Sequence, residues 1–276
     1  MTDKIPARLG AVEETLFIPL AARARETGKK HPLLRDAKAV EVMESIDIPV
    51  GKYHRGWGSV VMVLRTTVFD AWVKSFLDHY PTGTVIEIGT GLNTRFERVD
   101  NGVVRWFDLD LPDTIELRSQ FFANTDRRRM LAASVLDENW IDQVSACPGP
   151  YFFVAEGVLV YLPEDHVRRT LSRIVERFPD SSIAFDTYNH RMMQRQHQRA
   201  DQGDMNAKWA WACDDPRSLE SLGLQVIEST TVTRPPGRLR RQLPMRYRIG
   251  MPFAQALMRA TKTTFQLTLF KTPPAT

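Results

Sequence analysis

Two closely spaced glycines and a distant aspartate indicate a site for a nucleotide-type ligand. The apolar run that begins at Val85 reaches Glu87 and continues into Gly89-Thr90-Gly91. This pattern predicts a buried parallel strand that enters a tight turn, where glycine lets a ligand approach the backbone. Asp110 stands at the end of the next apolar run, where a carboxylate can accept hydrogen bonds from a ribose. These residues predict a nucleotide-type cofactor site.

The details of the turn favour S-adenosylmethionine over NAD. The dinucleotide fingerprint G-x-G-x-x-G would place a third glycine where this chain has Thr94. Glu87 is also unusual for a dehydrogenase, and its carboxylate can bind the N–H groups of the loop or a cationic ligand. S-adenosylmethionine carries an ammonium group and a ribose, but no pyrophosphate. A NAD-dependent dehydrogenase that uses the same turn remains the alternative enzyme.

Two further residues could take part in chemistry. Glu156 ends the apolar run Phe152–Ala155, and because a buried carboxylate needs partners, we expect it to have a function. His190 follows another predicted strand and is a candidate base, although a lone histidine near a loop is often incidental. The sequence has no HExxH motif, cysteine cluster or EF-hand spacing, so we expect no metal site.

The elements that position these residues form an α/β pattern. From Thr84 onward, apolar strands alternate with helical segments, which predicts a parallel sheet covered on both faces. We expect strands at 84–88, 103–109, 130–135, 151–156, 182–187, 224–230 and 264–271. We expect helices at 93–98, 112–124, 138–144, 163–178, 190–201, 215–222 and 251–261.

Helices are also predicted outside this alternation. Helical spacing at 11–27, 36–45 and 59–80 predicts an N-terminal extension that packs over the mouth of the ligand site. Segment 190–213 lies between the fifth and sixth strands, where an inserted helix can cap a pocket. Its larger apolar residues are Met192, Met193, Met205, Trp209 and Trp211.

Composition is that of a globular α/β protein. The chain has 276 residues, 43% hydrophobic and 25% charged, which suits one large domain with extensions. No apolar run approaches the roughly 18–20 residues of a membrane span, and no signal peptide is predicted, so we expect no membrane partner. Cys147 and Cys213 lack CxxC spacing, which favours free thiols in a reducing cytoplasm.

Charge is concentrated near the C-terminal end. The net charge is +4, yet no acidic residue follows Glu228, whereas nine arginines and lysines do. The cluster Arg234–Arg248 could attract an anionic substrate, a nucleic acid or an acidic partner, and a nucleic-acid-binding module is the alternative that is not an enzyme. We do not favour nucleic acid, because no aromatic residues are interleaved at stacking spacing. A solvated loop rich in arginine explains the cluster equally well.

Several sequence blocks resemble the leucine carboxyl methyltransferase family, whose bacterial branch includes tetracenomycin-type polyketide O-methyltransferases. The resembling blocks are Glu87–Arg95, Trp106–Pro112, Ala155–Pro163, Pro19–Ala24 and Asp214–Gly223. The resemblance spans about residues 11–230 and does not include the basic segment. It implies a class I S-adenosylmethionine-dependent methyltransferase fold, which is a Rossmann-like, mostly parallel seven-stranded sheet. A helical N-terminal extension and a helical lid complete the expected fold.

The resemblance implies how the methionine part of the cofactor would be held. Arg65, with Arg23 as a helper, would bind the cofactor carboxylate. Gly89 and Gly91 would let the methionine portion approach the backbone. Glu156 would face the ammonium group. Without the resemblance, a surface pair with a nearby acid such as Asp70 would be the preferred explanation of Arg65.

The resemblance also implies contacts for the nucleoside and the methyl group. Asp110 would take the ribose hydroxyls, in preference to the competing Asp108. Ser134 and Val135 would frame the adenine, although the family usually has an acid where Ser134 stands. Tyr161 would border the methyl group.

The implied activity is O-methyl transfer from S-adenosylmethionine to a carboxylate or phenol of a small, polyketide-like acceptor in secondary metabolism. A carboxylate is ionised at pH 7 and needs no base, whereas a phenol would benefit from one. Methylation of a protein C-terminus is an intermediate alternative. We expect a single domain over 1–276, with an extension at 1–82, a core at 83–189 and 214–276, and a lid at 190–213. A homo-oligomer remains open.

Overall fold

One seven-stranded sheet forms the centre of the computed structural model, which describes residues 5–6, 13–47, 57–201 and 207–275. A separate parallel pair is formed by two short strands, β1 (Ile5–Pro6) and β2 (Ile46–Asp47). The strands of the main sheet are β3 (Thr84–Ile88), β4 (Arg105–Asp110), β5 (Arg128–Ala132), β6 (Tyr151–Ala155), β7 (Ser182–Tyr188), β8 (Gln225–Thr230) and β9 (Phe265–Lys271).

The topology of this sheet creates a place for a ligand. The strand order is β5-β4-β3-β6-β7-β9-β8, and β9 is antiparallel to both of its neighbours. The chain proceeds from β3 to β4 on one side, while β6 pairs with β3 on the other. Ligands bind in open α/β sheets at such a switch point, outside the carboxyl ends of the strands. The predicted fold class is therefore confirmed.

Helices cover both faces of the sheet. In chain order they are α1 (Phe17–Thr27), α2 (Ala37–Ser45), α3 (Trp57–His79), α4 (Arg95–Val99), α5 (Pro112–Ser119), α6 (Asn139–Ser145), α7 (Glu164–Arg177), α8 (His190–Asp201), α9 (Gly237–Gln242) and α10 (Met245–Thr261). Short 3₁₀ helices occupy Glu13–Leu16, Leu159–Tyr161 and Pro216–Leu222. Successive side chains of a strand point to opposite faces of the sheet, so the core has two parts. Val85 packs on the side of α3, and Ile86 packs on the side of α7.

The predicted elements agree with the structure except at several boundaries. Strand β5 was predicted at 130–135 but lies at Arg128–Ala132, and the helix predicted at 112–124 ends at Ser119. The helix predicted at 215–222 is a 3₁₀ helix. Parts of the predictions at 11–27 and 190–213, including Met205, lie outside the described residues.

The arginine-rich segment contains helices that we did not predict. Helix α9 and the first turns of α10 occupy the region that sequence analysis explained equally well as a loop. The dense positive charge obscured an apolar row with helical spacing, Leu239, Leu243, Tyr247 and Met251, and all four side chains are buried. Arginine is also a good helix former. The loop interpretation was therefore wrong.

The N-terminal helices pack against the turn that follows β3. Phe17 and Leu20 of α1 share a cluster with Leu92 of the turn. The guanidinium group of Arg23 donates to Asp36 Oδ2 at 2.9 Å and to the Leu92 carbonyl at 3.1 Å. The extension thus lies at the carboxyl edge of the sheet. Among the described helices, none is long and apolar enough to cross a membrane.

A candidate cofactor and acceptor cleft

A cleft of about 700 Å³ opens at the carboxyl edge of the sheet. This volume is typical of small-molecule sites. Residues from both the sheet edge and the helical layers line it. They include Leu16 and Arg23, Met62 and Arg65, Ile88 to Asn93, Leu109 to Leu111, Ala133 to Val135, Glu156 to Val158, Val160 to Leu162, Tyr188, Met192, Arg195, Gln196, Arg199, Trp209, Met258 and Phe265.

The glycine turn provides a cradle that a side chain would fill. Gly89 and Gly91 adopt φ values of +62° and +48°, in the left-handed region that favours glycine. A Cβ atom on Gly89 would lie 2.3 Å from a methyl group of Val158, and one on Gly91 would lie 2.6 Å from Leu16. The turn therefore needs glycine for its conformation and for its close packing.

Asp110 lies at the cleft, whereas Asp108 does not. Asp110 accepts hydrogen bonds from the amides of Gly91 at 2.7 Å and Leu111 at 2.8 Å. Burial raises its pKa, although these amides oppose the rise. Asp108 is fully buried between Arg118 and Arg128, and these arginines, despite the opposing effect of burial, hold its pKa below the ordinary value. Of the two aspartates, only Asp110 can therefore reach a ligand.

Glu156 and Arg65 form a buried ion pair at the floor of the cleft. Arg65 Nε donates to Glu156 Oε1 at 2.9 Å, and Arg65 Nη1 donates to Asp186 at 3.1 Å and to the Tyr188 hydroxyl at 3.0 Å. No described residue accepts from Arg65 Nη2. The surface pair between Arg65 and Asp70, considered from sequence, does not form.

Several donors surround Glu156 and keep it ionised. Besides Arg65, it accepts from the Thr66 hydroxyl at 2.8 Å and from Arg95 Nη2. Burial alone would raise the pKa of Glu156, but Arg65 and Arg95 outweigh burial and lower it. A carboxylate has about four acceptor positions, so one remains on Oε2.

Glu87 is buried behind the turn and does not line the cleft. Its Oε1 accepts from Asn93 Nδ2 at 2.7 Å and from Arg95 Nη1, while Oε2 has no hydrogen-bond partner among the described residues. Burial raises the pKa of Glu87 to about 7, although Arg95 opposes the rise. The predicted contact between Glu87 and the cofactor is therefore revised, because this carboxylate holds the turn from behind.

Three other predicted residues line the cleft. Ser134 and Val135 follow β5, and the Ser134 hydroxyl accepts from the Leu136 amide at 3.2 Å. Tyr161 ends the 3₁₀ helix after β6 and is partly exposed in the cleft. Their positions agree with the adenine and methyl-group contacts expected from sequence, which remain predictions.

His190 lies outside the residues that line the cleft. Its amide donates to Asp214 Oδ1 at 2.9 Å, and its Nδ1 lies 2.8 Å from Asp214 Oδ2. Its side chain is 61% exposed. These contacts connect the first residue of α8 to Asp214, so the structure does not support His190 as a base. The loop position that suggested chemistry serves to anchor a helix.

Two arginines that were not predicted from the sequence, Arg95 and Arg118, organise the site. Arg95 binds Asp70, Glu87 and Glu156 and has no exposed side-chain area. Arg118 donates to the carbonyls of Gly91 at 2.7 Å and Asn93 at 2.9 Å and so supports the turn. The signal that could have found Arg95 was the carboxylate of Glu156, which was expected to be buried and therefore needs partners.

The part of the cleft around Trp209, Tyr188 and Phe265 lies away from the glycine turn and is called the far half. It has an apolar and aromatic lining. Trp209 packs on Tyr188 with ring centroids 4.4 Å apart, and Phe265 stacks on the same tyrosine at 5.4 Å. Gln196 of α8 binds Ala207 and Trp209, while Ala210 and Trp211 donate to the carbonyl of Val160. Residues 207–211 are thereby attached to α8 and to the core, and Trp209 lies in the cleft.

The part of the cleft beside Gly89, Gly91, Asp110 and Arg65 is called the near half, and its residues fit S-adenosylmethionine. The cradle at Gly89 and Gly91 leaves room beside the backbone, Asp110 offers carboxylate acceptors, and Arg65 Nη2 offers a donor. A ribose, an ammonium group and a carboxylate require such groups. No cluster of three or more potential metal ligands occurs in the part of the chain that the structure describes.

The amino-acid sequence matches known methyltransferases over most of its length. The model of the leucine carboxyl methyltransferase family matches residues 17–175. The chain is 33% identical over 233 residues to the tetracenomycin polyketide synthesis O-methyltransferase TcmP of Streptomyces glaucescens, covering 83% of this chain and 86% of that protein. It is 28% identical over 262 residues to the S-adenosyl-L-methionine-dependent methyltransferase dpfgK of Gibberella zeae, covering 86% and 88%.

Solved structures show the same fold. A putative methyltransferase from Thermobifida fusca has a TM-score of 0.56 at 17% identity and covers 94% of this chain and 95% of its own. A DUF574 family protein from Streptomyces avermitilis also has a TM-score of 0.56, at 16% identity, and covers 92% of this chain and 97% of its own. The chain therefore belongs to the leucine carboxyl methyltransferase family of S-adenosyl-L-methionine-dependent methyltransferases.

Proposed function

We propose that this enzyme methylates the carboxylate of a small, polyketide-like aromatic acid. The observation that carries the proposal is the single cleft that joins the glycine turn to the aromatic half around Trp209 and Tyr188. The relative TcmP is named for tetracenomycin polyketide synthesis, which supports a polyketide-like acceptor. The alternatives of a dehydrogenase and a nucleic-acid-binding module gained no support.

The near half of the cleft binds the methyl donor in this proposal. Asp110 holds the ribose hydroxyls, and Arg65 holds the carboxylate of the methionine part. Glu156 contributes its remaining acceptor position to the ammonium group, and Ser134 and Val135 frame the adenine. When bound, S-adenosylmethionine would supply a methyl group whose bond to the sulfonium is exchanged for a bond to the acceptor oxygen, leaving S-adenosylhomocysteine.

The groups in the cleft favour a carboxylate over a phenol. Among the described residues that line the cleft there is no histidine or lysine, and the acids Asp110 and Glu156 have structural partners. The hydroxyl of Tyr188 donates to Asp186 at 2.6 Å, and its pKa is raised well above the ordinary value, chiefly by burial. A carboxylate needs no base, because it is already ionised at pH 7. Catalysis then depends on positioning and on exclusion of water.

Arg195 would orient the acid by binding a second anionic or carbonyl group. It lies on α8 at the cleft, and no described residue forms an ion pair or hydrogen bond with it. Tyr161, which borders the expected position of the methyl group, would complete the wall of the acceptor site.

The proposal is tested with methyl-labelled S-adenosylmethionine and pairs of aromatic compounds. Each pair shares one ring system, with a carboxyl group in one member and only phenols in the other. We expect labelled methyl esters from the acids and a rate that is nearly constant above about pH 5, since carboxyl groups have pKa values of about 4. Transfer only to phenols, with a rate that rises toward pH 10, would contradict the proposal.

A binding experiment separates the donor from the acceptor. Titration calorimetry with S-adenosylhomocysteine should show one site per chain, whereas NAD should not bind. Binding of NAD alone would refute the assignment of the near half, whatever the acceptor.

The remaining inferences concern the state of the protein. We infer that the chain acts as one domain, in which the described residues of 1–82 and of 190–213 close the two sides of the cleft. The free thiols Cys147 and Cys213 support a reducing, cytoplasmic location. A homo-oligomer remains open to measurement by sedimentation.

A further inference from the structure

Helix α10 directs a row of large apolar side chains toward solvent. The row consists of Met245, Ile249, Phe253 and Leu257, which are 66%, 60%, 75% and 64% exposed. These residues are four positions apart and therefore lie on one side of the helix. The opposite side carries Tyr247 and Met251, which are buried in the core. Helix α10 is thus apolar on both sides, unlike an ordinary surface helix.

The surroundings of this row carry positive charge. The sequence contains nine arginines and lysines after Glu228 and no acid. Arg248 of α10 is exposed three residues after Met245 and therefore lies beside the start of the row, while Arg259 is exposed in the last turn of the helix. Arg240 and Arg241 of α9 are exposed nearby in the chain. An apolar row bordered by arginines is typical of a helix that lies in a membrane interface and reaches lipid phosphates.

We propose that the outward face of α10 docks on an anionic lipid surface. A second copy of the chain fits this face less well. The row is a single strip of four side chains about 18 Å long, whereas a stable interface buries about 800 Å² per partner from roughly 20–30 residues. A symmetric contact would also bring two basic segments together, and like charges in contact are unfavourable. Anionic headgroups attract the same arginines and require no matching protein surface.

Docking of this kind differs from spanning a membrane. Helix α10 would lie in the plane of the interface with its apolar row among the acyl chains. Met258, on the inward side of the same helix, lines the far half of the cleft. If the proposed acceptor is correct, docking places the acceptor end of the cleft close to the lipid phase, where an apolar aromatic acid would concentrate.

Vesicle flotation of the purified full chain tests the proposal without any methyl transfer. The vesicles are phosphatidylcholine alone or phosphatidylcholine mixed with phosphatidylglycerol. We expect binding to the anionic vesicles that is at least about tenfold tighter than to the neutral ones and that weakens with salt. The double variant Phe253→Ser/Leu257→Ser should bind at least about tenfold more weakly, because it removes the apolar part of the contact.

The matched control is Ile227→Ser on β8, which removes an apolar side chain that is 53% exposed at another place. It should bind vesicles like the original chain. Both variants should keep the same melting temperature and the same affinity for S-adenosylhomocysteine. Equal binding to neutral and anionic vesicles, or no binding, would overturn the proposal. So would a dimer in sedimentation that the double variant converts to monomer.

Discussion

At the residue scale, the position of each carboxylate along its strand decides whether it can bind a ligand. Asp108 and Asp110 lie on one strand two residues apart, yet Asp108 is buried between arginines and Asp110 lies beside the glycine turn. Asp110 is the last residue of β4, where it is half-buried at the carboxyl edge of the sheet, whereas Asp108 is fully buried within the strand. The end of the strand therefore makes this carboxylate accessible.

The ribose contact proposed for Asp110 predicts a specific change in ligand preference. Asp110→Asn keeps the size of the side chain but removes its charge, and we expect S-adenosylhomocysteine to bind roughly 10–100-fold more weakly, since hydrogen bonds to charged groups contribute about 1.5–3 kcal/mol. Calorimetry should also compare the 2′- and 3′-deoxy analogues. At least one of them should bind the original protein more weakly than the parent ligand, and the variant should show a smaller difference. An equal penalty in both proteins would exclude the contact and leave Asp110 as a support for Gly91 only.

The contact proposed for Arg65 is best tested with a more conservative substitution than alanine. Removal of the charge of Arg65 would leave Asp186 without a buried cation and Glu156 with Arg95 alone, at a cost of roughly 3–5 kcal/mol in folding stability. Arg65→Lys keeps the charge but loses the fork of donors. We expect it to weaken binding of S-adenosylhomocysteine about tenfold, equivalent to about 1.4 kcal/mol, with little effect on 5′-methylthioadenosine, which lacks the amino-acid part. Equal weakening of both ligands would show that Arg65 supports the cleft as a whole and does not bind the amino-acid part of the ligand.

At the element scale, helix α8 and residues 207–213 form one wall of the far half of the cleft. His190 fixes the start of α8 to Asp214, and Gln196 fixes its middle to Ala207 and Trp209. These contacts leave Met192 and Arg195 at the cleft. The helix was predictable from sequence, but its attachment was not, because Asp214 and Val160 are distant partners.

The wall formed by α8 predicts different effects for two arginines on the same helix. Arg195→Ala should raise the KM for an aromatic acid roughly tenfold, with little change in the affinity for S-adenosylhomocysteine, because one charged hydrogen bond to the acceptor is lost. Arg191→Ala, which lies on α8 outside the cleft lining, is the matched control and should leave KM unchanged. Equal effects of both changes would indicate a general loss of positive charge rather than a contact of Arg195.

Across the whole molecule, a chain of buried ion pairs joins the N-terminal helices to the sheet. In the described residues it connects the cations Arg23, Arg65, Arg95 and Arg98 with the acids Asp36, Asp70, Glu87, Glu156 and Asp186. The acids outnumber the cations by one. Protonation of Glu87 balances the charges, which agrees with its pKa of about 7.

Glu87 therefore predicts a pH dependence of global stability. Folding raises its pKa, so the bound proton stabilises the folded state fully below about pH 4.5, and this stabilisation is lost as pH rises through about 7. Between pH 5 and 8 the original protein should lose roughly 2 kcal/mol of unfolding free energy relative to Glu87→Gln. Urea unfolding at several pH values measures this difference. Glu116→Gln, at an exposed site on α5, serves as the control. If the unfolding free energy of the original protein and that of Glu87→Gln change with pH in parallel, the assignment is wrong.

Much of the fold was predictable because its signals are local. The alternation of strands and helices, the glycine turn and the acid at the end of β4 all depend on neighbouring residues. The helices around Arg240 and Arg248 were not recognised, because their stability comes from burying Leu239 and Tyr247 against distant elements. The roles of Glu87 and His190 also depended on partners that no local pattern reveals.

The sequence by itself determined the strand-turn-helix unit around Gly89, since only glycine tolerates its backbone and packing. It also determined the family, through blocks of residues that are close together in the chain. The tertiary structure alone decided which acids reach the cleft and which are neutralised behind it. Asp110 reaches the cleft, whereas Glu87 and Asp108 are held by Arg95, Arg118 and Arg128. The physical reason is that a buried charge takes its behaviour from partners brought together by folding, and these partners lie on other elements of the chain.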